Sequence, residues 1–191
     1  MMEEVRKNSG NSYNFNEMTM LREKKDNSFM ISFIVENKNI MLKNLINFKL
    51  YELIFKLNND IIEDVAVTHE IDDDHINMII KLKAIGQDLG LPKRYCFINI
   101  NKTVETNLIK FTSNTINIDN DTINKHKCLG EEIKNTSSKM YIELLNDHRA
   151  KIHFTLFINP DEDMPGFMDN MVSLLLKKIF VRVKSFIEKI Q

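Results

Sequence analysis

The densest group of chemically active side chains in the sequence is a short acidic segment with one histidine. Glu70, Asp72, Asp73, Asp74 and His75 lie within six positions, and carboxylates beside an imidazole can bind a metal ion or exchange protons with a substrate. The same segment separates two runs of apolar residues, and aspartate is a preferred turn residue. The sequence therefore favours a hairpin turn here over a metal or acid–base site.

Two further groups of candidate metal ligands occur between positions 119 and 130. The run 119–121, Asp-Asn-Asp, resembles the start of a calcium loop, but Asn124 stands where such a loop needs glycine and Gly130 where it needs glutamate. His126 and Cys128 have no second ligand pair at zinc-site spacing. The sequence also contains no G-x-S-x-G, no H-E-x-x-H and no glycine-rich phosphate loop. We therefore expect no catalytic residues, no metal site and no cofactor, and a protein that is not an enzyme.

Composition narrows the class of protein. The chain has 191 residues and a net charge of −1, from 26 Lys and Arg against 27 Asp and Glu. This length suits one domain, and the near-neutral charge argues against a nucleic-acid partner. Cys96 and Cys128 lie far apart, which indicates a reducing compartment rather than a disulfide framework. Because no secretory signal and no apolar run of membrane-spanning length is present, the sequence predicts a cytoplasmic protein.

The first half of the chain begins with a polar stretch. Residues 1–27 predict a flexible N-terminal tail, so the ordered domain is expected over residues 28–191. Phe29–Glu36 is rich in β-branched and aromatic residues and predicts a strand. Leucines at helical spacing then predict one helix between residues 38 and 60, with Asn39 as its cap.

The middle of the chain predicts three antiparallel hairpins and two notable loops. The hairpins are expected over residues 62–82, 94–118 and 139–158. The segment 84–94 contains two glycines and a proline and predicts a loop. The polar segment 119–138 is long for a connection, and such loops are usually functional or mobile.

The C-terminal segment is the clearest helix and begins near Pro165. Apolar residues recur every three or four positions in a continuous stripe: Met168, Val172, Leu175, Ile179, Val183, Phe186 and Ile190. The opposite face is basic, with Lys177, Lys178, Arg182, Lys184 and Lys189. A basic face of this kind can make transient contact with an anionic membrane surface, although a solvated face has the same composition.

These elements predict an α+β domain, because an antiparallel sheet has one apolar face and a long amphipathic helix can cover it. The order of elements resembles the helix-grip fold of the START-like superfamily. Three segments contain the resemblance: VAVTHEIDDDHINMIIKLK in the first hairpin, LPKRYCFINI before the next strand, and FINPDEDMPGFMDNMV at the last strand and final helix. Tyr95 follows Arg94 where the family usually has Arg-Asp, so a buried Arg–Asp pair is not carried over.

The resemblance implies a curved antiparallel sheet of about seven strands around the C-terminal helix, with a hydrophobic cavity between them. Its expected function is non-catalytic binding or transfer of an apolar small molecule, such as a lipid. Candidate ligand-binding residues are strand residues expected to face inward and residues of the final helix: Ile76, Met78, Ile80, Arg94, Phe97, Phe111, Ile142, Phe154, Leu156, Met168, Met171, Val172 and Leu175. Further polar candidates are Tyr95, Tyr141 and His153, and the segment 86–93 is expected to gate the cavity together with the start of the helix.

One alternative uses the same fold with a filled interior. The protein would then be an interaction or regulatory protein that binds a large assembly, such as a chaperone or a ribosome. Its contacts would come from the surface, from the loop 119–138 or from the N-terminal tail. The side chains on the inner side of the sheet decide between these functions, and one sequence does not fix which face of each strand points inward.

Overall fold

The computed structural model describes residues 12–15, 17–84, 92–158 and 166–191. Within these ranges the chain forms ten strands and four helices. The strands are β1 (Ser12–Phe15), β2 (Met18–Glu23), β3 (Ser28–Glu36), β4 (Ile62–Asp72), β5 (His75–Leu82), β6 (Arg94–Val104), β7 (Leu108–Thr115), β8 (Glu131–Glu132), β9 (Ser137–Asn146) and β10 (Arg149–Phe157). The helices are α1 (Leu42–Leu45), α2 (Phe48–Leu57), α3 (Asn120–Lys125) and α4 (Gly166–Lys189).

All of the described strands belong to one sheet, with the order β1-β2-β3-β10-β9-β7-β6-β5-β4. Neighbours on this path pair antiparallel, and the short β8 pairs parallel with β6. The predicted α+β class, with an antiparallel sheet and a long C-terminal helix, is confirmed. The expected number of about seven strands is too low, because β1, β2 and β8 arise from segments whose composition predicts a tail or a loop.

The range predicted to be an N-terminal tail contains strands β1 and β2. In the β2–β3 pair, Met18 lies opposite Phe33 and Met20 lies opposite Ile31. Both methionines are buried because strand alternation places them on the same face as the apolar residues of β3. The sheet therefore begins before residue 28, and residues 1–11 lie outside the described residues.

Alternation gives the sheet one apolar face, here called the inner face, against which the helices pack. Strand register aligns its side chains in rows that cross the sheet. One row contains Ile76, Ile100, Ser113, Ser138, Leu156, Phe29 and Arg22. The next row contains Lys102, Phe111, Met140, Phe154, Ile31 and Met20. Phe180 of α4 contacts this face, with its ring centroid 5.8 Å from that of Phe33 and 4.8 Å from that of Phe154.

The single helix predicted between residues 38 and 60 is divided into α1 and α2. Asn47 accounts for the break, since its side chain accepts a hydrogen bond from the backbone N–H of Lys49 at 2.8 Å and caps α2. The prediction that Asn39 caps the helix is wrong. Its backbone N–H donates to the Asn37 side chain at 2.8 Å before α1 begins.

The buried stripe of α4 differs from the predicted one by a rotation of about one residue. Buried positions on this helix are Leu176, Phe180, Val183 and Ile187. Of the predicted stripe, Val183 is buried, whereas Phe186 is 39% exposed. The cause is the run Leu174–Leu176, which makes the apolar arc wide enough for more than one orientation of the helix.

The long segment predicted as a polar loop is an ordered flap on the outer face of the sheet. This outer flap, residues 116–135, contains α3 and β8. Its apolar side chains pack on a small second cluster formed by Ile79, Tyr95 and Phe97. The flap residues in this contact are Ile116, Ile118, Ile123 and Cys128. Among the described helices, none combines the length and the hydropathy required to cross a membrane.

Candidate functional site: the open end of the inner face

One end of the inner face is tightly packed, and the other end keeps accessible apolar surface. Where α1 and α2 cover the sheet, Leu42 and Leu50 are 1% exposed and Phe111 and Ile142 are fully buried. Toward the end of β5, the start of β6 and the end of β10, and along α4, inner-facing residues contact the core but stay half-buried. These residues define the open end: Ile80, Cys96, Phe154, Leu156, Ile158, Val172 and Ile179. The apolar side chains at this end are therefore less completely covered than those beneath α1 and α2.

Strand ends bring the members of the open end together. Ile80 at the end of β5 lies opposite Cys96 at the start of β6. Leu156 lies near the end of β10, opposite Ser138 at the start of β9. Val172 lies in the first half of α4 and Ile179 just past its midpoint, two turns apart on one side of the helix.

Cys96, a member of the open end, has a strongly desolvated thiol. Burial is the largest effect on this group and raises the pKa of Cys96 to about 12, with a smaller contribution from Glu132. The same residue still has accessible surface and counts as half-buried. The thiol is therefore strongly desolvated, although the residue as a whole keeps some accessible surface.

A pair of serine hydroxyls lies in the middle of the apolar inner face. Ser113 and Ser138 are cross-strand neighbours, and their Oγ atoms are 2.7 Å apart. Ser113 is 7% exposed and Ser138 is 9% exposed. In their row, Ile100 flanks Ser113 and Leu156 flanks Ser138. Sequence reasoning missed this pair, although Ser113 alternates in step with the apolar Phe111 on β7.

The predicted ligand-binding residues are divided between the packed core and the open end. Ile76, Met78, Phe111 and Ile142 are buried in the core. Ile80, Phe154, Leu156 and Val172 belong to the open end, and Met171 and Leu175 are half-buried on α4. The side chain of Met168 lies outside the described residues, as do positions 86–91 of the predicted gate and Pro165 at the predicted start of the helix.

The expectation that Phe97 faces inward is corrected, because this residue lies on the outer face of the sheet. It packs with Ile79 and Tyr95 beneath the outer flap. The inner positions of β6 are taken by Ile98 and Ile100, which join the main core, so alternation sends Phe97 to the other side. The same parity removes Tyr95 from the polar candidates for the cavity.

Of the other polar candidates, Tyr141 and His153 face away from the open end, whereas Arg94 alternates in step with Cys96. Tyr141 and His153 lie opposite each other, at positions that alternate with the inner-facing Met140, Ile142, Ile152 and Phe154. Burial is the main cause that lowers the pKa of His153. Arg94 is half-buried at the start of β6, with Nη2 3.5 Å from Oε2 of Glu131. These positions do not identify Tyr141, His153 or Arg94 as a residue that contacts a ligand.

Two pockets lie away from the open end. A groove of about 410 Å³ between α4 and the strands β2 and β3 has Met18, Met20 and Ile31 as its apolar floor and polar groups of α4, including Ser173, on its rim. A pocket of about 470 Å³ between α2 and the edge strand β4 includes Met78 but is rimmed by several charged residues. Because α4 packs over β3 and β10, the groove and Ile80 lie on opposite sides of that helix.

The basic face of α4 is largely engaged within the protein. Lys178 donates to Oδ2 of Asp60 at 2.6 Å, and Arg182 bonds both oxygens of the same carboxylate. Lys184 donates to the backbone carbonyl of Ile34 at 2.8 Å. These contacts fix the helix to the rest of the fold, which weakens the expectation that this face contacts an anionic membrane.

The acidic segment forms the predicted hairpin turn between β4 and β5. Nδ1 of His75 lies 2.7 Å from Oδ1 of Asp72, and both side chains are exposed. The pKa of Asp72 is lowered, first by the backbone N–H of Asp74 and then by His75. Within the described residues, no three His, Cys, Asp or Glu side chains are grouped to hold a metal ion.

Solved structures identify the class of fold. The chain is similar to the human StarD13 (DLC2) lipid transfer and protein localization domain, with a TM-score of 0.67 and 12% identity over 94% of this chain and 89% of that one. It is similar to the STAR-related lipid transfer protein (fragment 25–204) of Xanthomonas axonopodis, with a TM-score of 0.65 and 8% identity over 93% of this chain and 97% of that one. A third similarity is to human STARD10, with a TM-score of 0.64 and 8% identity over 93% of this chain and 72% of that one.

These similarities show that the chain has a START-like fold, as its sequence segments had indicated. No family model matches the sequence. The comparison with curated proteins gives no match. The fold is therefore established by structure, while the function must be argued from the open end and its side chains.

Proposed function

We propose that the protein binds, and transfers, an apolar small molecule such as a lipid without catalysing a reaction on it. The observation that supports this function is the set of half-buried apolar side chains that defines the open end. Apolar binding sites in proteins are concave and mostly hydrophobic, with few polar groups. The names of the similar structures, which include lipid transfer domains, are consistent with the proposal.

Burial of the ligand would provide the binding free energy. Each Å² of apolar ligand surface removed from water contributes roughly 25 cal/mol before the costs of association are subtracted. The phenyl ring of Phe154 and the aliphatic side chains of Leu156 and Val172 offer such contacts without charge. The neutral walls favour an uncharged chain or ring over a small ion.

The two cysteines bear on the cellular compartment of the protein. Cys96 and Cys128 are both free thiols, which is consistent with a reducing compartment. We infer a cytoplasmic carrier that shields its ligand from water.

A paired substitution tests the proposal in the full chain. Native mass spectrometry of the purified protein should show bound lipid, and a fluorescent sterol and a fluorescent phosphatidylcholine provide direct binding probes. Cys96→Phe fills the open end, whereas Ser173→Phe fills the rim of the 410 Å³ groove on the other side of α4. We expect binding to be lost in Cys96→Phe and kept in Ser173→Phe, provided that both variants show cooperative unfolding. Absence of bound lipid together with no binding of either probe to the wild type would refute the proposal.

A second candidate function is docking to a protein partner through the outer flap. Leu129 favours it, since this large apolar side chain is 68% exposed on the flap. The closely packed half of the inner face is also consistent with a filled interior. Leu129→Glu should abolish partner binding and leave lipid binding unchanged. If the lipid-binding function is correct, Cys96→Phe should abolish lipid binding and leave partner binding unchanged.

A further inference from the structure

The two buried hydroxyls of Ser113 and Ser138 have hydrogen-bonding capacity that the protein does not use. Each hydroxyl can donate one hydrogen bond and accept two, and their mutual contact at 2.7 Å consumes one donor and one acceptor. Among the described residues, no other hydrogen bond of either side chain is present. One O–H donor and several acceptor positions are therefore left for a further partner.

The surroundings of the pair place this capacity beside the proposed ligand site. Leu156 is the cross-strand neighbour of Ser138 and belongs to the open end. Ile100 flanks the pair on the other side, and Phe111 and Met140 lie in the adjacent row. The two hydroxyls are thus polar groups surrounded by apolar side chains on the inner face.

We propose that the Ser113–Ser138 pair is a polar anchor for a neutral oxygen group, a hydroxyl or an ester or ketone carbonyl, on an otherwise apolar ligand. This inference rests on the proposed function, since it presumes that a ligand enters the open end. A hydroxyl of the pair donates to the ligand oxygen, and a ligand hydroxyl can also donate back. The anchor fixes which end of the ligand reaches the middle of the sheet.

The charges around the inner face explain why the recognised group is neutral. Arg22, at one end of the same row, already pairs with Asp169. Lys102, in the adjacent row, pairs with Asp74 at 2.9 Å. An ionised carboxylate or phosphate brought to the pair would be desolvated without a counter-ion, which is unfavourable in an apolar environment. Hydroxyl donors suffice for an uncharged oxygen.

A purely structural role for the pair makes a different prediction. Cross-strand serine pairs stabilise sheets, so their removal could lower stability without any effect on ligand choice. The two roles are separated by comparing ligands that differ by one oxygen, since a structural role affects both ligands equally.

The test uses the full chain and two probes of equal chain length, hexadecanol and hexadecane, each competing against a pyrene-labelled hydrocarbon. The wild type should bind hexadecanol about tenfold more tightly than hexadecane, as one buried hydrogen bond allows. Ser113→Ala and Ser138→Ala should lose this preference and keep their affinity for hexadecane. Ser137→Ala is the matched control, because Ser137 adjoins Ser138 on β9 but alternates to the other face.

Each outcome bears on a stated claim. Equal affinity of the wild type for both probes, or an unchanged preference in both alanine variants, would overturn the anchor while the proposed function stands. Failure of the wild type to bind either probe or the fluorescent lipids would overturn the proposed function as well. If the alanine variants do not fold, Ser113→Thr and Ser138→Thr retain a hydroxyl and should retain the preference, whereas Ser113→Cys should weaken it.

Discussion

The guanidinium of Arg22 donates to the carboxylate of Asp169 at 3.0 Å and joins β2 to the first turn of α4. Both side chains are mostly buried, at 12% and 21% exposed. Arg22 also lies 4.3 Å from the ring centroid of Phe29, in a cation–π contact. The start of the helix that borders the open end is therefore held by a strand from the N-terminal segment.

Arg22→Ala should destabilise the protein and loosen the start of α4. The change leaves the half-buried Asp169 without its partner, so we expect the free energy of unfolding to fall by about 1–3 kcal/mol. Urea unfolding measures this loss. If α4 borders the ligand site as proposed, the dissociation rate of a bound fluorescent lipid should also rise.

Lys56→Ala is the matched control for the loss of an ion pair. Lys56 and Glu52 form a pair on α2 with side chains 79% and 55% exposed, and such pairs contribute about 0.5 kcal/mol or less. A stability loss in Lys56→Ala equal to that in Arg22→Ala would show that the burial of the Arg22 pair has no special effect.

Alternating patterns made much of the sheet predictable. The strands that alternate most regularly, such as β3 and β10, lie where their β-branched and aromatic residues indicated. Strand β2 was missed because a local polar composition conceals its buried residues, Met18 and Met20, whose burial depends on pairing with β3. Such pairing is a tertiary effect that no local window contains.

The candidate site was less predictable than the fold, for two physical reasons. The parity of β6 could not be fixed, because Phe97 and Ile98 are both apolar and each face of that strand covers a cluster. Burial of Ser113 beside Ser138 is also a long-range property, since the partners are 25 positions apart. A serine in a strand is usually interpreted as surface, and only register brings these two hydroxyls together.

Asp60 should make stability depend on acidic pH. Hydrogen bonds from Arg182 and then Lys178 hold the pKa of this carboxyl well below its ordinary value of 3.8. A carboxylate with a lowered folded-state pKa stabilises the fold above its unfolded-state value, and this contribution is lost as the pH falls through the folded-state value. We therefore expect wild-type stability to decline between pH 4 and pH 2 more steeply than that of Asp60→Asn.

Double substitution separates this pair from other acidic groups. Arg182→Ala removes the main partner of Asp60 and should flatten the acid decline in the same direction. The double variant Asp60→Asn/Arg182→Ala should be no flatter than Asp60→Asn, because the shared interaction can be lost only once. Additive effects in urea unfolding across this pH range would contradict a direct coupling.

Gly130→Ala should detach the outer flap from the start of β6. Gly130 has a φ of +99°, and a Cβ at this position would lie 1.9 Å from the carbonyl oxygen of Lys93. Backbone atoms cannot move aside cheaply, so a loss of about 2 kcal/mol or more is expected. Hydrogen exchange should accelerate at the amides of Glu131 and Ile133, which donate to Lys93 and Tyr95 at 2.9 and 2.7 Å.

Asn135→Gly provides the opposite change within the same flap. Asn135 has a φ of 53°, a conformation that glycine adopts without steric cost. We expect its stability to lie within about 0.5 kcal/mol of the wild type, with unchanged exchange at Glu131. Equal acceleration in both variants would mean that flap docking does not depend on the close approach at Gly130.

Cys96 offers a direct probe of ligand occupancy at the open end. In a Cys128→Ala background it is the sole thiol of the chain, and its pKa of about 12 predicts slow alkylation at neutral pH, because the thiolate is the reactive form. Saturation with hexadecanol should slow alkylation by maleimide further, about tenfold or more when the site is 90% occupied or better. The reciprocal variant, Cys96→Ala with Cys128 retained, is the control, since Cys128 belongs to the outer flap on the other face of the sheet and its alkylation should not respond to the ligand. Equal protection of both thiols would indicate global stabilisation, and no protection of Cys96 would place the ligand elsewhere.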